Sequence, residues 1–126
     1  MKIFNRVAAA IAAVACLSVG GAIAQSQAPL VVGSTLSLTG PLSATAMTHK
    51  LVGEIYVDQL NARGGLLGRK VEWLVKDDQS KPDLARTLYE QLITSDKVDL
   101  LIGPYGTGTI LSAMGVAQDR KSTRLN

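Results

Sequence analysis

The chain has 126 residues, and its formal net charge of +3 arises from 13 Lys and Arg residues against 10 Asp and Glu residues. That excess lies at the two ends, because residues 25–118 contain 8 basic and 9 acidic residues. With a near-neutral body and only 4% aromatic residues, the composition gives no support for nucleic-acid binding, and no nucleic-acid partner is predicted.

The first 24 residues have the pattern of a secretory signal peptide. Two basic residues precede an almost uninterrupted apolar stretch at residues 7–17, and Ala-Ile-Ala at residues 22–24 supplies the small-x-small cleavage pattern. This predicts a signal peptide over residues 1–24, a mature chain that begins at Gln25, and a periplasmic destination. A retained membrane anchor is the alternative, although small and polar residues after position 17 interrupt the apolar run.

Cys16, the one cysteine, permits another interpretation of the same segment. Residues 13–16 resemble a bacterial lipoprotein box, which would leave Cys16 lipidated at a new N-terminus. Ala13 stands where Leu is preferred, and residues 17–19 stay apolar, so the cleaved signal peptide is favoured. Cleavage after Ala24 would leave an exported domain without a thiol, which must depend on its core alone.

The first strand–helix unit begins with an almost wholly apolar run at residues 30–36, which is typical of a strand buried on both faces. Gly-Pro at residues 40–41 ends the strand. A long helix is predicted from about residue 43 to 62, with Gly-Gly at residues 64–65 as its C-cap. Apolar side chains at four-residue spacing and their neighbours form the expected buried stripe: Met47, Leu51, Val52, Ile55, Tyr56 and Leu60.

The second unit begins with a strand at residues 71–76, in which charged side chains occupy one face. Such alternation suits an edge strand. An Asp-Asp pair at residues 77–78 ends this strand. Pro82 then starts a helix, whose apolar residues recur at four-residue spacing: Leu84, Leu88 and Leu92, with Ala85 and Tyr89 alongside.

The third unit has an apolar strand at residues 98–102, which predicts a central position in the sheet. Residues 109–118 are short and mostly apolar, which predicts a buried helix or the start of one. The composition changes abruptly to polar residues at 119–126. We interpret that tail as non-native or disordered sequence, such as read-through on a truncated frame, with a frayed natural terminus as the alternative.

Strands that alternate with helices predict an α/β fold with a Rossmann-like parallel sheet. In such sheets, ligands bind beyond the carboxyl ends of the strands at the switch point between the first and third strands. Residues 37–43 (the first loop) and residues 103–109 (the second loop) lie there. Both combine glycine with hydroxyl side chains, and the second opens a helix whose N–H groups favour a carboxylate. The alternative is that the second loop is only a tight βα turn.

Three loop motifs carry a family resemblance: Thr-Gly-Pro at 39–41, Asn-Ala-Arg-Gly-Gly-Leu-Leu-Gly-Arg-Lys at 61–70, and Gly-Pro-Tyr-Gly-Thr-Gly-Thr at 103–109. In this order, residues 25–118 resemble part of the N-terminal lobe of the periplasmic solute-binding proteins of branched-chain amino acid ABC transporters, the leucine-binding protein family. The resemblance implies a type I periplasmic binding fold with helices on both faces of the sheet. It also implies that the third strand presents an unpaired edge, because further strands of the lobe are missing.

For function, the resemblance implies capture of a small amino-acid-like ligand and delivery to a membrane permease, without catalysis or a cofactor. The family usually has small hydroxyl residues after its Gly-Pro-Tyr segment, and glycine replaces one of them at position 106. The ligand-binding residues expected from the two loops are Leu38, Gly40, Tyr105, Gly106 and Thr107. A ligand-sensing role for the same fold is equally compatible with the sequence.

Other patterns are weaker. Asp77 and Asp78 could suggest metal binding or acid–base chemistry, but the resemblance implies that they are loop and helix-entry residues. His49 lies mid-helix beside a lysine and is predicted to be solvated, with no second histidine to build a metal site. A nucleotide-binding Rossmann-like enzyme is the remaining alternative. Against it, Leu111 stands where the dinucleotide fingerprint after Gly106 needs Gly or Ala.

Overall fold

The computed structural model describes residues 28–124, and their side chains through residue 118. The predicted signal peptide and Cys16 lie outside the described residues. Three strands alternate with three helices along the chain: β1 (Leu30–Leu36), α1 (Ser43–Ala62), β2 (Val71–Asp77), α2 (Pro82–Thr94), β3 (Leu100–Leu101) and α3 (Thr107–Arg124). All strand pairs are parallel and the strand order is β2-β1-β3. The predicted α/β fold is therefore confirmed.

β1 is the central strand. It pairs with β2 over its whole length, from Leu30 opposite Val71 to Leu36 opposite Asp77. The prediction that β2 lies at an edge is confirmed. With β3, in contrast, β1 pairs only at the Val32 and Gly33 positions.

The predicted central position of β3 is wrong for this chain. β3 is two residues long, and within the described residues it pairs with β1 alone. Leu100 is 49% exposed and Leu101 is 36% exposed. The apolar composition of β3 predicts that both of its sides are covered. Within the described residues, however, no element covers its outer side. The expected unpaired edge at this strand is confirmed.

α1 packs on one face of the sheet, where Leu30, Val32 and Val71 form a core with half-buried side chains of α1. A Cβ on Gly53 would overlap the ring of Trp73, so the helix backbone lies directly against this side chain of β2. The indole Nε1 of Trp73 donates a hydrogen bond to Ser34 Oγ at 2.9 Å. This bond joins β2 to β1 beneath the helix.

The prediction that one apolar stripe of α1 is buried is wrong, except for the last residue of that stripe. The exposed fractions are between 48% and 61% for Met47, Leu51, Val52, Ile55 and Tyr56. The helix instead faces the sheet with Ala46, Gly53, Val57 and Leu60. Small residues on this side of α1 leave room for the Trp73 ring. Helical spacing alone does not determine which of the two apolar stripes packs against the sheet.

α2 lies on the opposite face of the sheet. A Cβ on Gly33 would lie 3.0 Å from the side chain of Val98 and 3.1 Å from Leu92 Cδ2, so this glycine admits the helix and the segment after it. Within α2, Ala85, Tyr89 and Leu92 are buried. Because α1 covers the other face, the predicted arrangement of helices on both faces is confirmed.

α3 packs against α2 through Ala113 and Val116, which form a core cluster with Tyr89. The helix extends from Thr107 to Arg124, so residues 109–118, which were predicted to be a buried helix or the start of one, are part of a longer helix. Lys and Arg are good helix formers and no Gly or Pro follows Gly115, so the polar composition does not end the helix. The expectation that residues 119–126 are non-native remains a prediction.

Candidate functional site

The two predicted ligand loops meet where β1 and β3 end. A Cβ on Gly106 would lie 3.0 Å from Leu42 Cδ1, so the loops are in van der Waals contact. The crossover through α1 leads to one side of β1 and the crossover through α2 leads to the other. The junction is therefore the switch point at which open α/β sheets bind ligands.

The first loop is shaped by a glycine that approaches the β2–α2 connection. Gly40 has φ 86°, and a Cβ there would lie 2.7 Å from the carbonyl oxygen of Gln79. Its own carbonyl accepts a hydrogen bond from the amide of Ser43 at 3.2 Å as α1 begins. Leu38, which is half-buried, donates from its amide to Leu36 O at 2.9 Å.

Of the two threonine residues in the second loop, one has its hydroxyl hydrogen-bonded to the loop backbone and the other is exposed. Thr109 is buried, and its hydroxyl contacts the carbonyl oxygens of Tyr105 at 2.7 Å and Gly106 at 2.8 Å. Gly106 has φ 103°, a conformation that favours glycine. The amide of Ile110 donates to Gly106 O at 2.9 Å, which starts the hydrogen-bond ladder of α3.

Thr107 lies at the start of α3 and is exposed. The amides of residues 107–109 precede the first helical hydrogen bond, and the positive end of a helix dipole favours anions. The hydroxyl of Thr107 and these amides together can receive a carboxylate. Glycine at position 108 packs against Pro82 of α2, since a Cβ there would lie 3.1 Å from the proline ring.

Sequence reasoning missed a contact between His49 and Tyr105. Their ring centroids are 4.7 Å apart with an interplanar angle of 39°. His49 is exposed as predicted, but its ring lies against the second loop and its Nδ1 is 2.8 Å from Thr45 O. The position of His49 within the first turns of α1, directly after the first loop, was the only signal in the sequence.

Asp78 is fully buried and accepts hydrogen bonds from both neighbouring elements. Its Oδ2 accepts from Thr35 Oγ1 at 2.7 Å, and its Oδ1 accepts from Ser37 Oγ at 2.6 Å and from the Ser80 amide at 3.0 Å. The carboxylate therefore joins the end of β1 to the segment that follows β2.

Asp77, on the other side of the strand, binds the first loop. Its Oδ2 accepts from Thr39 Oγ1 at 2.7 Å, and its Oδ1 accepts from the amides of Thr39 at 3.2 Å and Gln79 at 2.9 Å. Burial alone would raise the pKa of Asp77, but the donors, led by Thr39 Oγ1, bring that pKa below its ordinary value of 3.8. Asp77 and Asp78 thus serve loop structure, as the resemblance implied. Among the side chains that the structure describes, no group of three or more His, Cys, Asp or Glu residues is arranged to hold a metal ion.

A groove of about 590 Å³ lies elsewhere, between α1 and β2, and it contains none of the predicted ligand-binding residues. Its polar lining includes Lys50 and Glu54, which form an ion pair with each other. The groove lies beside the edge strand and not at the switch point. We therefore place the candidate site at the two loops.

Comparison with known proteins identifies one family. Residues 29–125 match the family described as periplasmic binding protein. A substrate-binding protein of a chemotactic signal transduction system from Halobacterium salinarum is 34% identical over 82 residues, which are 64% of this chain and 20% of that protein. A Leu/Ile/Val-binding protein from Rhizobium johnstonii is 28% identical over 91 residues, which are 72% of this chain and 24% of that protein.

Among solved structures, the fold is similar to that of a branched-chain amino acid transporter substrate-binding protein from Streptococcus pneumoniae in complex with isoleucine. The TM-score is 0.69 at 27% identity, and the match covers 72% of this chain and 26% of that chain. The chain thus spans about a quarter of the length of the relatives that it matches.

Proposed function

Because the chain belongs to the periplasmic binding protein family, we propose that it forms part of the solute-binding component of an ABC transporter. In this role it captures a small amino-acid-like ligand outside the cytoplasm and delivers it to a membrane permease. The observation that carries the proposal is the junction of the two loops at the switch point, where the start of α3 offers amides and the Thr107 hydroxyl.

Each predicted site residue has a proposed role in this junction. Gly106 and Gly40 let the loops pack closely enough to form the site, since a Cβ would press on Leu42 at the first position and on the Gln79 carbonyl oxygen at the second. Thr107 and the amides at the start of α3 hold the α-carboxylate. Tyr105, supported by His49, forms one wall of the site, and Leu38 supplies an apolar contact. The proposal includes no catalytic step and no cofactor.

Location follows from the family and from the predicted signal peptide, and we propose a periplasmic protein. None of the helices within residues 28–124 is long and apolar enough to cross a membrane. Lipid anchoring through Cys16 is the alternative that the sequence leaves open.

A second candidate function is ligand sensing. It is favoured by the relative from Halobacterium salinarum, which is named as a substrate-binding protein of a chemotactic system. Both roles require the same capture of a solute, and they differ only in the membrane partner. Co-purification with a permease or with a chemotaxis transducer from the native membrane would separate them.

A chimera tests solute capture directly. Residues 29–118 replace the corresponding segment of the pneumococcal isoleucine-bound protein, and calorimetry measures the affinity for L-isoleucine, L-leucine and L-valine. We expect binding, and we expect Thr107→Ala to weaken it about tenfold because a hydrogen bond to a charged group is lost. Thr87→Ala is the matched control, since this exposed hydroxyl bonds to Asp83 O within α2.

Two results would contradict the proposal. One is a chimera that melts cooperatively but binds none of the three amino acids. The other is a clear rise in the thermal midpoint of the chain on addition of NAD, which would favour the nucleotide-binding alternative.

A further inference from the structure

We infer that Asp77 is a positioning residue of the candidate site: its carboxylate holds Thr39 and thereby sets the shape of the first loop. The inference rests on the proposed function only for the statement that this loop contacts the solute. Asp77 is the last residue of β2 and lies opposite Leu36, the last residue of β1. Its carboxylate is therefore next to the point where the chain leaves the sheet.

The contacts to Thr39 come from both oxygens of the carboxylate. Oδ2 accepts from the hydroxyl at 2.7 Å, while Oδ1 accepts from the amide at 3.2 Å and from the Gln79 amide at 2.9 Å. This bidentate arrangement fixes the backbone and the side chain of Thr39 together. Hydrogen bonds to an ionised acceptor are stronger than those between neutral groups.

Ser80 completes the attachment of the loop. Its hydroxyl donates to Thr39 O at 3.0 Å and lies 3.2 Å from the amide of Leu42, from which it accepts. Between these contacts, Gly40 rests on the Gln79 backbone. The first loop therefore takes its shape from the segment after β2, and Asp77 is the charged group in that contact.

The next residue makes a different kind of contact. Asp78 is fully buried and bonds to Thr35 and Ser37, which lie within or directly after β1. Asp77 ends β2 and Asp78 follows it, and the two carboxylates bind different partners: the first loop for Asp77 and the end of β1 for Asp78. Removing Asp78 would disturb the core, whereas Asp77 is only partly buried and can be changed without opening the core.

Nuclear magnetic resonance on the ¹⁵N-labelled chain tests this role through the backbone order parameter of Thr39. In the wild type and in Asp77→Asn we expect a rigid value of about 0.85, because Asn keeps an acceptor for both amides and can donate to the threonine hydroxyl. In Asp77→Ala we expect a value below about 0.6 for Thr39, with a cooperative thermal transition retained at a lower midpoint. Glu72→Ala, an exposed acidic residue of the same strand, is the control and should leave Thr39 rigid.

Thr39→Val provides a second variant, which keeps the amide contact and removes the hydroxyl contact. The backbone order parameter of residue 39 in this variant should fall between the values in the wild type and in Asp77→Ala. A rigid Thr39 in Asp77→Ala would overturn the inference, and so would an Asp77→Asn variant as mobile as Asp77→Ala. Titration of the chimera described above with L-isoleucine separates the two proposals. Order parameters as expected, together with a chimera that melts cooperatively but does not bind isoleucine, would contradict solute capture and leave the positioning role supported.

Discussion

The phenol hydroxyl of Tyr89 donates a hydrogen bond to the carbonyl oxygen of Ile102. Tyr89 is a buried residue of α2, and Ile102 is the last residue before the second loop. The bond therefore attaches the residue that precedes the second loop to α2, on the face of the sheet that this helix covers. Burial and, to a smaller extent, the nearby Asp78 carboxylate raise the pKa of Tyr89 to about 12 against the opposing effect of contacts with Thr35.

Tyr89→Phe is expected to lower the free energy of unfolding by about 1 kcal/mol, because the Ile102 carbonyl loses a donor. The wild type should also lose stability between pH 10 and about pH 12. The raised pKa means that the unfolded tyrosine ionises first, so the stabilisation is complete below pH 10 and disappears as the pH reaches the folded-state value. Urea denaturation at several pH values measures both effects. The exposed Tyr56 provides the control variant Tyr56→Phe, and an equal alkaline loss in Tyr89→Phe would contradict the assignment.

Asp78→Ala is expected to cost about 3 kcal/mol of unfolding free energy. Removal of the carboxylate leaves the buried hydroxyls of Thr35 and Ser37 without their acceptor and opens a cavity at the end of β1. Trp73 is the one tryptophan of the chain, so its fluorescence during urea denaturation reports the loss. Asp58→Ala on the exposed side of α1 is the matched control and should change stability by less than about 0.5 kcal/mol. Comparable losses in the two variants would contradict the role of Asp78.

The sequence predicted those features of the fold that short local signals determine. The predicted bounds of α1 agree with the structure, because Gly-Pro precedes the helix and Gly-Gly follows it. The packing side of α1 was not predictable, because it depends on the contact between Gly53 and Trp73, which are distant in sequence. The helical character of residues 109–118 was predicted, whereas the extent of α3 was not, because the polar segment that follows contains no Gly or Pro to mark an end.

The candidate site was predicted in outline for a related reason. Topology alone brings the two loops together, so Gly40 and Gly106 could be named from their positions after β1 and β3. The contact of His49 with Tyr105 and the hydrogen bonds of Asp78 arise from tertiary packing. Spacing along the chain contains no information on such contacts.

Gly40→Ala is expected to destabilise the chain by about 2 kcal/mol. Its φ of 86° is costly for any residue with a Cβ, and the new methyl group would lie 2.7 Å from the Gln79 carbonyl oxygen. Gly103→Ala is the matched control, because a Cβ there has no atom within 4 Å. Thermal denaturation compares the two. If alanine is tolerated equally at both positions, the first loop does not require the left-handed conformation.

The lowered pKa of Asp77 predicts a specific acid dependence. A depressed folded-state pKa stabilises the chain above pH 3.8, and this contribution is lost as the pH falls through the lower value in the folded protein. The Thr39 amide signal should therefore shift with a midpoint below pH 3.8, and Asp77→Asn should lack this step. A Thr39 shift that persists in Asp77→Asn would assign the titration to another group.

The exposed side of β3 predicts self-association of the chain. Leu100 and Ile102 are 49% and 52% exposed, and this side of the strand has no neighbour within residues 28–124. An apolar edge with unpaired backbone groups can pair with another chain. We expect light scattering to show concentration-dependent oligomers, and Leu100→Lys to reduce them, because a charge on an edge strand opposes pairing. Leu67→Lys is the control, since this residue is 86% exposed in the loop between α1 and β2 and away from the edge. A sharp cooperative melt from a strictly monomeric wild type would contradict this prediction.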